Sequence, residues 1–213
     1  MQLNSQSFTH GAVIPGEYAF AVVDPASHIR LSSNRNPHLT WTNAPAGTQS
    51  FVLICHDPDV PSRGDDVNQP DREIPATLAR VDFFHWVLIN LSPEQQTIVA
   101  GSHSEGITAH GKAGPMVAGD ARGQLRHGIN DYTGWFAGDP AMSGDYHGYD
   151  GPCPPWNDSI VHHYVFTLYA LDVATLAIDG QITGPKVRAA MASHVLAEAS
   201  LTGTYTLNPR LNK

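Results

Sequence analysis

Residues 148–155 have the sequence GYDGPCPP, and residues 162–171 have the sequence HHYVFTLYAL. The glycines and prolines of the first segment cannot propagate a helix or a strand ladder, so they predict a stiff loop. The second segment alternates between two faces from Val165 to Ala170, which is the period of a strand. The chain therefore leads from a fixed bend into a strand that begins with His162 and Tyr164. Loops of this kind on a rigid strand are where binding sites are commonly found.

The composition indicates one compact, loop-rich domain spanning residues 1–213. Hydrophobic residues make up 41% of the chain and charged residues 15%, with 19 glycines and 16 prolines. This profile is typical of a globular protein and not of a disordered or coiled-coil chain. The formal net charge of −8 argues against a nucleic-acid partner or an anionic membrane surface, because both need a basic footprint.

The segment Met1–Phe8 has neither a basic start nor an apolar run, and no stretch is apolar enough to span a membrane. We therefore expect a cytoplasmic protein without integral membrane contact. The two cysteines, Cys55 and Cys153, are too few for a disulfide framework and are expected to be thiols.

Three further segments predict strands. Leu39–Thr42 alternates, Phe51–His56 is a continuous apolar run of the kind buried on both faces, and Val81–Leu91 alternates again. In the last segment, Phe83, His85, Val87 and Ile89 are expected on one face and Phe84, Trp86 and Leu88 on the other. The polar stretch 64–80 predicts a long loop, and loops of this length are usually functional.

One helix is predicted late in the chain. Gly184 can cap it and Pro185 suits its first turn, so a helix is expected over Lys186–Ser200, followed by a final strand over Thr204–Leu207. Residues 101–160 contain 12 of the 19 glycines and predict mostly loop. The whole pattern predicts a mostly β, antiparallel β-sandwich or barrel-like fold with a helix packed on or across one edge.

Candidate functional side chains occur in separate segments. Asp57 and Asp59 flank Pro58 at a strand end, where they form either an Asx-type turn or part of a site. His85 is either a core histidine or a ligand-binding one. Together with His162 and Tyr164, it could converge on a pocket whose N–H and O–H donors suit a phosphate-like anion, helped by a nest of loop amides. Asp57 would then accept a hydrogen bond from an imidazole.

These motifs resemble one known family. The segments that carry the resemblance are DPDVPSR at 57–63, DVNQ at 66–69, HWVL at 85–88, GINDY at 128–132, GPCPP at 151–155 and the strand from His162 to Asp172. Together they are similar to the phosphatidylethanolamine-binding protein family, in particular its bacterial Raf-kinase-inhibitor-like (YbhB/YbcL-type) branch. The resemblance extends from about Ser7 to Leu207.

The resemblance implies a β-sandwich with an anion pocket at one end. Its lining would comprise Asp57, His85, Gly151, Cys153, Pro154, His162 and Tyr164, supported by Asp59, Pro61, Pro155 and His163. His163 departs from the family pattern, which usually has arginine at this position. The other histidines fall outside the pattern: His194 is expected on the helix's apolar face, and His10, His28, His38, His103, His110, His127 and His147 are expected in solvent.

Two classes of function remain open. The first is a binding protein without cofactor or metal, whose ligand is a phosphate-like small molecule or a phospholipid headgroup. By family analogy it could regulate or inhibit a kinase-like partner, and it could form a homodimer. The second is a metal-dependent or His/Asp-based hydrolase using the same pocket. The hydrolase is less favoured because the chain lacks the His-x-x-x-His, Cys-x-x-Cys and Gly-x-Ser-x-Gly spacings.

Overall fold

The structure is a computed structural model that describes residues 1–212. These residues form ten β-strands, two short α-helices and a 3₁₀ turn at Gly16–Tyr18. The strands are β1 Gln2–Asn4, β2 Ala21–Asp24, β3 His28–Leu31, β4 Leu39–Thr42, β5 Ser50–Pro61, β6 Arg80–Leu91, β7 Thr97–Ile98, β8 Arg126–His127, β9 His162–Leu171 and β10 Val195–Tyr205. The helices are α1 Tyr132–Trp135 and α2 Gly184–Met191.

The larger sheet has five strands in the order β10-β9-β5-β6-β8, and each neighbouring pair is antiparallel. β5 lies at its centre, and all residues of the run Phe51–Cys55 are buried. This confirms the prediction of a strand covered on both faces. β5 also continues through Pro61, so that Asp57 and Asp59 both lie within the strand.

A second layer packs on one face of this sheet. It consists of the three-stranded sheet β1-β4-β7, while β2 and β3 form a separate hairpin. Trp41 of β4 meets Phe51 of β5 edge to face, with ring centroids 5.5 Å apart. Leu39 and Trp41 thus belong to one core with Leu53, Leu88 and other side chains of the larger sheet. The two-layer, mostly antiparallel arrangement confirms the predicted sandwich-like fold class.

Helix α2 covers the opposite face of the five-stranded sheet. Val187 and Met191 pack there against Val52, Ile54 and their neighbours. Gly184 lies so close to the Phe84 ring that any Cβ at this position would clash with it. No helix in the part of the chain described here has the length and apolar character needed to cross a membrane.

The predicted helix over Lys186–Ser200 is wrong in its second half. Helix α2 ends at Met191, and the chain from Val195 onward forms β10, which pairs with β9 from Val195↔Leu171 to Tyr205↔His162. His194 accordingly leaves the helix face and contacts the Asp172 carboxylate at 2.8 Å. The ladder with β9 satisfies the backbone along this segment and overrides its moderate helix propensity. The final strand is therefore longer than predicted.

The predicted alternation of β6 is also wrong at one position. Trp86 pairs with Cys55 and Phe84 pairs with His56, so His85 is an extra residue in the ladder. This irregularity is a β-bulge, which changes the face of the residues that follow. Phe84 consequently packs with Val87 and Ile89 beneath α2, whereas Trp86 and Leu88 belong to the core between the sheets.

Candidate functional site

A cavity of about 480 Å³ lies beside the five-stranded sheet, where Asp57 of β5, His85 of β6 and Tyr164 of β9 contribute to its wall. Most of the residues predicted to form the site line it: Asp57, Pro61, His85, Cys153, Pro154, Pro155 and Tyr164. The predicted residues Asp59, Gly151, His162 and His163 are not part of the lining. The structure therefore brings these segments together at one cavity, and four of the predicted residues lie behind or beside its wall.

His162 lies behind the wall in a buried chain of alternating charges. Its Nδ1 contacts the Asp57 carboxylate at 2.7 Å and its Nε2 contacts Asp158 at 3.1 Å. Asp158 in turn accepts two hydrogen bonds from Arg80, at 2.6 and 3.0 Å. Because both ring nitrogens are engaged, His162 has no nitrogen free for a ligand. The expectation that His162 donates directly to an anion is not met, and its role here is to fix Asp57.

The two carboxylates keep the His162 ring charged. Burial opposes the imidazolium, but the hydrogen bonds to Asp158 and Asp57 outweigh burial and raise the pKa of His162 to about 9. At neutral pH the chain Arg80–Asp158–His162–Asp57 therefore carries two positive and two negative charges. The negative charge that Asp57 presents to the cavity is compensated from behind.

Asp57 takes part both in an Asx-type hydrogen bond and in the lining of the cavity, the two alternatives that the sequence left open. One carboxylate oxygen accepts the backbone N–H of Asp59 at 2.7 Å, as in an Asx-type turn, and the other accepts from His162. The side chain is 1% exposed. The predicted pairing of Asp57 with an imidazole is present in the structure, and its partner is His162.

His85 has one ring nitrogen committed to the protein. Nδ1 lies 2.7 Å from the backbone carbonyl oxygen of Asp150, and since a carbonyl only accepts, Nδ1 carries the hydrogen. The bulge turns the ring towards Tyr164 and Tyr132, with centroid distances of 5.0 and 5.6 Å. The ring is 3% exposed, and burial lowers its pKa. A neutral His85 thus offers an Nε2 lone pair at the cavity.

Tyr164 supplies the unsatisfied polar group of the site. Its side chain is 1% exposed and lines the cavity, yet its hydroxyl has no hydrogen-bond partner among the described residues. Burial, reinforced by the nearby Asp57 carboxylate, raises the pKa of this phenol well above its usual value. The hydroxyl therefore keeps its proton at neutral pH, and although the Asp57 carboxylate lies nearby, no contact between the two has hydrogen-bond geometry. Buried donors without a partner are rare, and a ligand would satisfy this one.

The loop Gly148–Pro155 is braced through the buried carboxylate of Asp150. This carboxylate accepts hydrogen bonds from Asn34 at 2.7 Å, Asn130 at 2.8 Å and Lys112 at 2.6 Å. Lys112 balances its charge. These contacts from three distant segments hold the loop against β6 and so fix the carbonyl that orients His85.

Several backbone groups of the loop are not available for the predicted anion nest. The N–H of Asp150 donates to the His85 carbonyl and that of Gly151 donates to the Asn34 side chain. Positions 152, 154 and 155 are prolines, which have no N–H. Gly151 instead serves packing, because a Cβ at this position would clash with the Tyr18 carbonyl. Apart from the N–H of Cys153, an anion at this wall would depend on side-chain donors.

His163, at the position of the family's usual arginine, pairs with Asp59. Its backbone N–H and its Nδ1 both contact one Asp59 carboxylate oxygen at 2.8 Å. The His163 side chain is 53% exposed. Both residues therefore form a surface pair beside the cavity instead of contributing to its lining.

An aromatic wall was not predicted from the sequence. The wall consists of Phe20 directly before β2, Phe83 of β6, and three residues in and next to α1, namely Tyr132, Trp135 and Phe136. Phe20 stacks on Tyr132 with centroids 4.7 Å apart. The GINDY segment at 128–132 contains Tyr132 and was the one available signal. The cavity is thus mainly apolar, with a few polar groups at one side, as in many small-molecule sites.

The start of the predicted long loop and the residue before it line another part of the cavity. Arg63, Val67 and Asn68 line it, and Arg63 forms no ion pair with the residues described. Asn157 holds this loop in place: its Nδ2 contacts three loop carbonyls and its Oδ1 accepts the Asn68 N–H at 3.0 Å. The guanidinium of Arg63 is therefore a cation available at the cavity edge.

Two further predictions concern the two cysteines and His127. Cys55 and Cys153 are both free, which confirms the expectation of two thiols. His127, predicted in solvent, is instead 6% exposed, and its Nδ1 accepts the Trp86 indole N–H at 3.3 Å. Burial lowers the pKa of His127 to about 3. This histidine is part of the core.

Residues 1–212 contain no group of three or more His, Cys, Asp or Glu side chains placed to hold a metal ion. His162, which the hydrolase hypothesis needs as a ligand, already uses both nitrogens on carboxylates. The hydrolase alternative is therefore not favoured.

Comparison with known proteins identifies relatives along nearly the whole chain. The family profile of the phosphatidylethanolamine-binding proteins matches residues 4–206. YbhB of Escherichia coli is 29% identical over 173 residues, which cover 81% of this chain and 82% of YbhB. A protein of Chlamydia trachomatis is 30% identical over 205 residues, covering 96% of this chain and 98% of its own.

Solved structures show the same fold. A crystal structure of a phosphatidylethanolamine-binding protein homologue from Chlamydia trachomatis superposes with a TM-score of 0.61 at 28% identity, over 96% of this chain and 95% of that one. Escherichia coli YbcL, described as a member of the mammalian family, superposes with a TM-score of 0.66 over 96% of this chain and 97% of its own. Its sequence identity is 22%, so it supports the fold alone.

Proposed function

The chain belongs to the phosphatidylethanolamine-binding protein family, and we propose that its cavity binds a phosphate-bearing small molecule or a phospholipid headgroup. The observation that carries this proposal is the unpartnered, buried hydroxyl of Tyr164 beside the Nε2 atom of His85. Both residues line a cavity that is mainly apolar, with Asp57, Arg63 and Asn68 as further polar members of its lining. A ligand with one compact polar end would satisfy them while its remainder contacts the aromatic wall.

The charge distribution supports an anionic polar end. His162 compensates the negative charge of Asp57, and Lys112 compensates that of Asp150. Neither carboxylate therefore leaves a net negative charge at the cavity. Arg63 adds a guanidinium at the edge, a group whose fork of N–H donors matches phosphate oxygens. One anionic charge in the cavity would thus meet one unpaired positive charge.

The proposal is tested by calorimetric titration with phosphoethanolamine. Tyr164→Phe removes one hydrogen bond to a charged group, which is worth ~1.5–3 kcal/mol, so we expect about a 10- to 100-fold weaker affinity. Tyr169→Phe is the matched control, because Tyr169 lies on the same strand but packs in the cluster beneath α2. An affinity that is equal in wild type and Tyr164→Phe would refute the assignment of this hydroxyl.

The remaining functional predictions stay predictions. A kinase-like partner, a homodimer and a cytoplasmic location rest on the sequence and on family analogy. One relative, 27% identical, bears the name putative lipoprotein LppC of Mycobacterium tuberculosis.

A further inference from the structure

We propose that a phosphate monoester or headgroup phosphate binds this site together with one proton, which is shared between the ligand and Nε2 of His85. The inference rests on the proposed function and specifies the chemical form of its ligand. The complex would contain one proton more than the free protein and the free, fully ionised phosphate. With the proton included, the phosphate and the His85 ring together carry a net charge of −1 for a monoester and zero for a headgroup diester.

The tautomer of His85 makes this proton necessary. Nδ1 carries its hydrogen towards the Asp150 carbonyl, which leaves Nε2 as a bare acceptor in the neutral ring. The oxygens of an ionised phosphate are acceptors as well. Two acceptors cannot form a hydrogen bond, so contact between them requires either an imidazolium ring or a protonated phosphate oxygen.

The surroundings of His85 do not provide this proton in the free protein. The ionisable groups facing the ring come from four other parts of the chain: Asp57 on β5, Tyr132 on α1, Asp150 in the Gly148–Pro155 loop, and Tyr164 and His162 on β9. Asp57 and Asp150 already accept hydrogen bonds from His162 and Lys112. Burial is the largest influence on the ring and lowers its pKa, so the free ring is neutral at neutral pH.

The charges around the cavity also favour the uptake of one proton for each phosphate bound. A doubly charged phosphate would meet one unpaired cation, Arg63, and the carboxylate of Asp57 in the lining. Taking up a proton reduces the net negative charge by one and adds a hydrogen bond at Nε2. The Tyr164 hydroxyl then donates to a second phosphate oxygen, and both polar groups are satisfied.

Proton uptake is measured by titrating phosphoethanolamine at pH 7.5 in Tris and in HEPES, whose ionisation enthalpies differ. A phosphate monoester has its second pKa near ~6, so the free ligand is mostly dianionic at this pH and we expect uptake of about one proton. The association constant should then fall about tenfold per pH unit between pH 7 and 8.5. Uptake below about half a proton with clear binding would overturn the inference.

A second ligand separates the two sources of phosphate. Glycerophosphoethanolamine is a diester whose phosphate does not bind a proton at this pH, so uptake of about one proton on its binding would place the proton on His85. The tighter of the two ligands indicates whether a headgroup diester or a free monoester suits the site. Absence of any heat with both ligands would instead count against the proposed function itself.

His85→Asn is the informative variant, because its amide can still donate to the Asp150 carbonyl but provides no Nε2. We expect its proton uptake to fall close to zero, whereas His163→Asn, which changes the exposed pair with Asp59, should keep the wild-type uptake. Nitrogen NMR of the wild-type protein is independent of the variant's folding. Nε2 of His85 should change from unprotonated to hydrogen-bonded on ligand addition, and an unchanged signal at saturation would contradict the proposal.

Discussion

His162 connects the stability of the protein with its candidate site. Its ring holds Asp57 at the cavity wall and is itself held by Asp158 and Arg80. The folded protein raises the pKa of His162 to about 9, from an ordinary value of 6.5. A raised pKa means that the folded state binds the proton more tightly than the unfolded state does.

The stabilising effect of His162 should therefore be complete below about pH 6.5 and lost as the pH rises through 9. We expect the wild-type free energy of unfolding to fall by on the order of 3 kcal/mol across this range. His162→Asn should show a flatter profile there, while being less stable at pH 6.5. Urea unfolding at pH 6.5, 8 and 9.5 measures this, and parallel profiles for the two proteins would contradict the charged state assigned to His162.

At the scale of single residues, the sequence predicted the residues that line the cavity better than the residues that hold them in place. Asp57, His85 and Tyr164 stand in segments with a recognisable pattern, and all three line the cavity. Asp158 and Arg80 carry no such signal, because their pairing joins residues 78 positions apart through side-chain geometry alone. The contacts of both His162 ring nitrogens with carboxylates follow from that geometry. They could not be predicted from the spacing of residues in the sequence.

At the scale of elements, the loop 64–79 depends on Asn157. This buried amide contacts the carbonyls of Asp66, Gln69 and Arg72 and the N–H of Asn68. Its contacts replace the secondary structure that the loop lacks, and they position Arg63 and Val67 at the cavity.

We expect Asn157→Ala to loosen this loop and to weaken phosphoethanolamine binding, because four hydrogen bonds are removed together. Hydrogen exchange should accelerate over residues 64–74 and remain unchanged in β5 and β9. Asn4→Ala, at an exposed position of β1, is the control and should leave both readouts unaffected. Unchanged exchange in the loop would show that other contacts hold it.

The docking of α2 depends on close approach at Gly184. A methyl group there would meet the Phe84 ring, so Gly184→Ala should destabilise the protein by ~1–3 kcal/mol through overpacking. Gly138→Ala is the control, since a Cβ at Gly138 has no neighbour within 4 Å. Thermal unfolding measures both variants, and equal melting temperatures would mean that α2 shifts without cost.

The boundary between α2 and β10 shows why element types are harder to predict than their existence. The segment Val195–Ser200 has residues that suit either a helix or a strand, and only its ladder with β9 decides between them. The bulge at His85 has the same origin, because an extra residue in a ladder is a property of the pair of strands.

At the scale of the whole molecule, the strand pattern was sufficient to predict a mostly β sandwich, because the long alternating and apolar segments became β4, β5, β6 and β9. The cavity itself was predicted only as a convergence of motifs. Its volume and aromatic wall arise where Phe20, Phe83 and the α1 region meet, and these segments are distant in sequence.

The central claim is that this cavity receives a phosphate group at Tyr164 and His85. The most direct measurement is a crystal structure of the protein grown with saturating phosphoethanolamine. We predict phosphate oxygens within about 3 Å of both the Tyr164 hydroxyl oxygen and His85 Nε2, with the organic part directed along the aromatic wall. A phosphate bound elsewhere on the molecule, with the cavity free of ligand, would contradict the account.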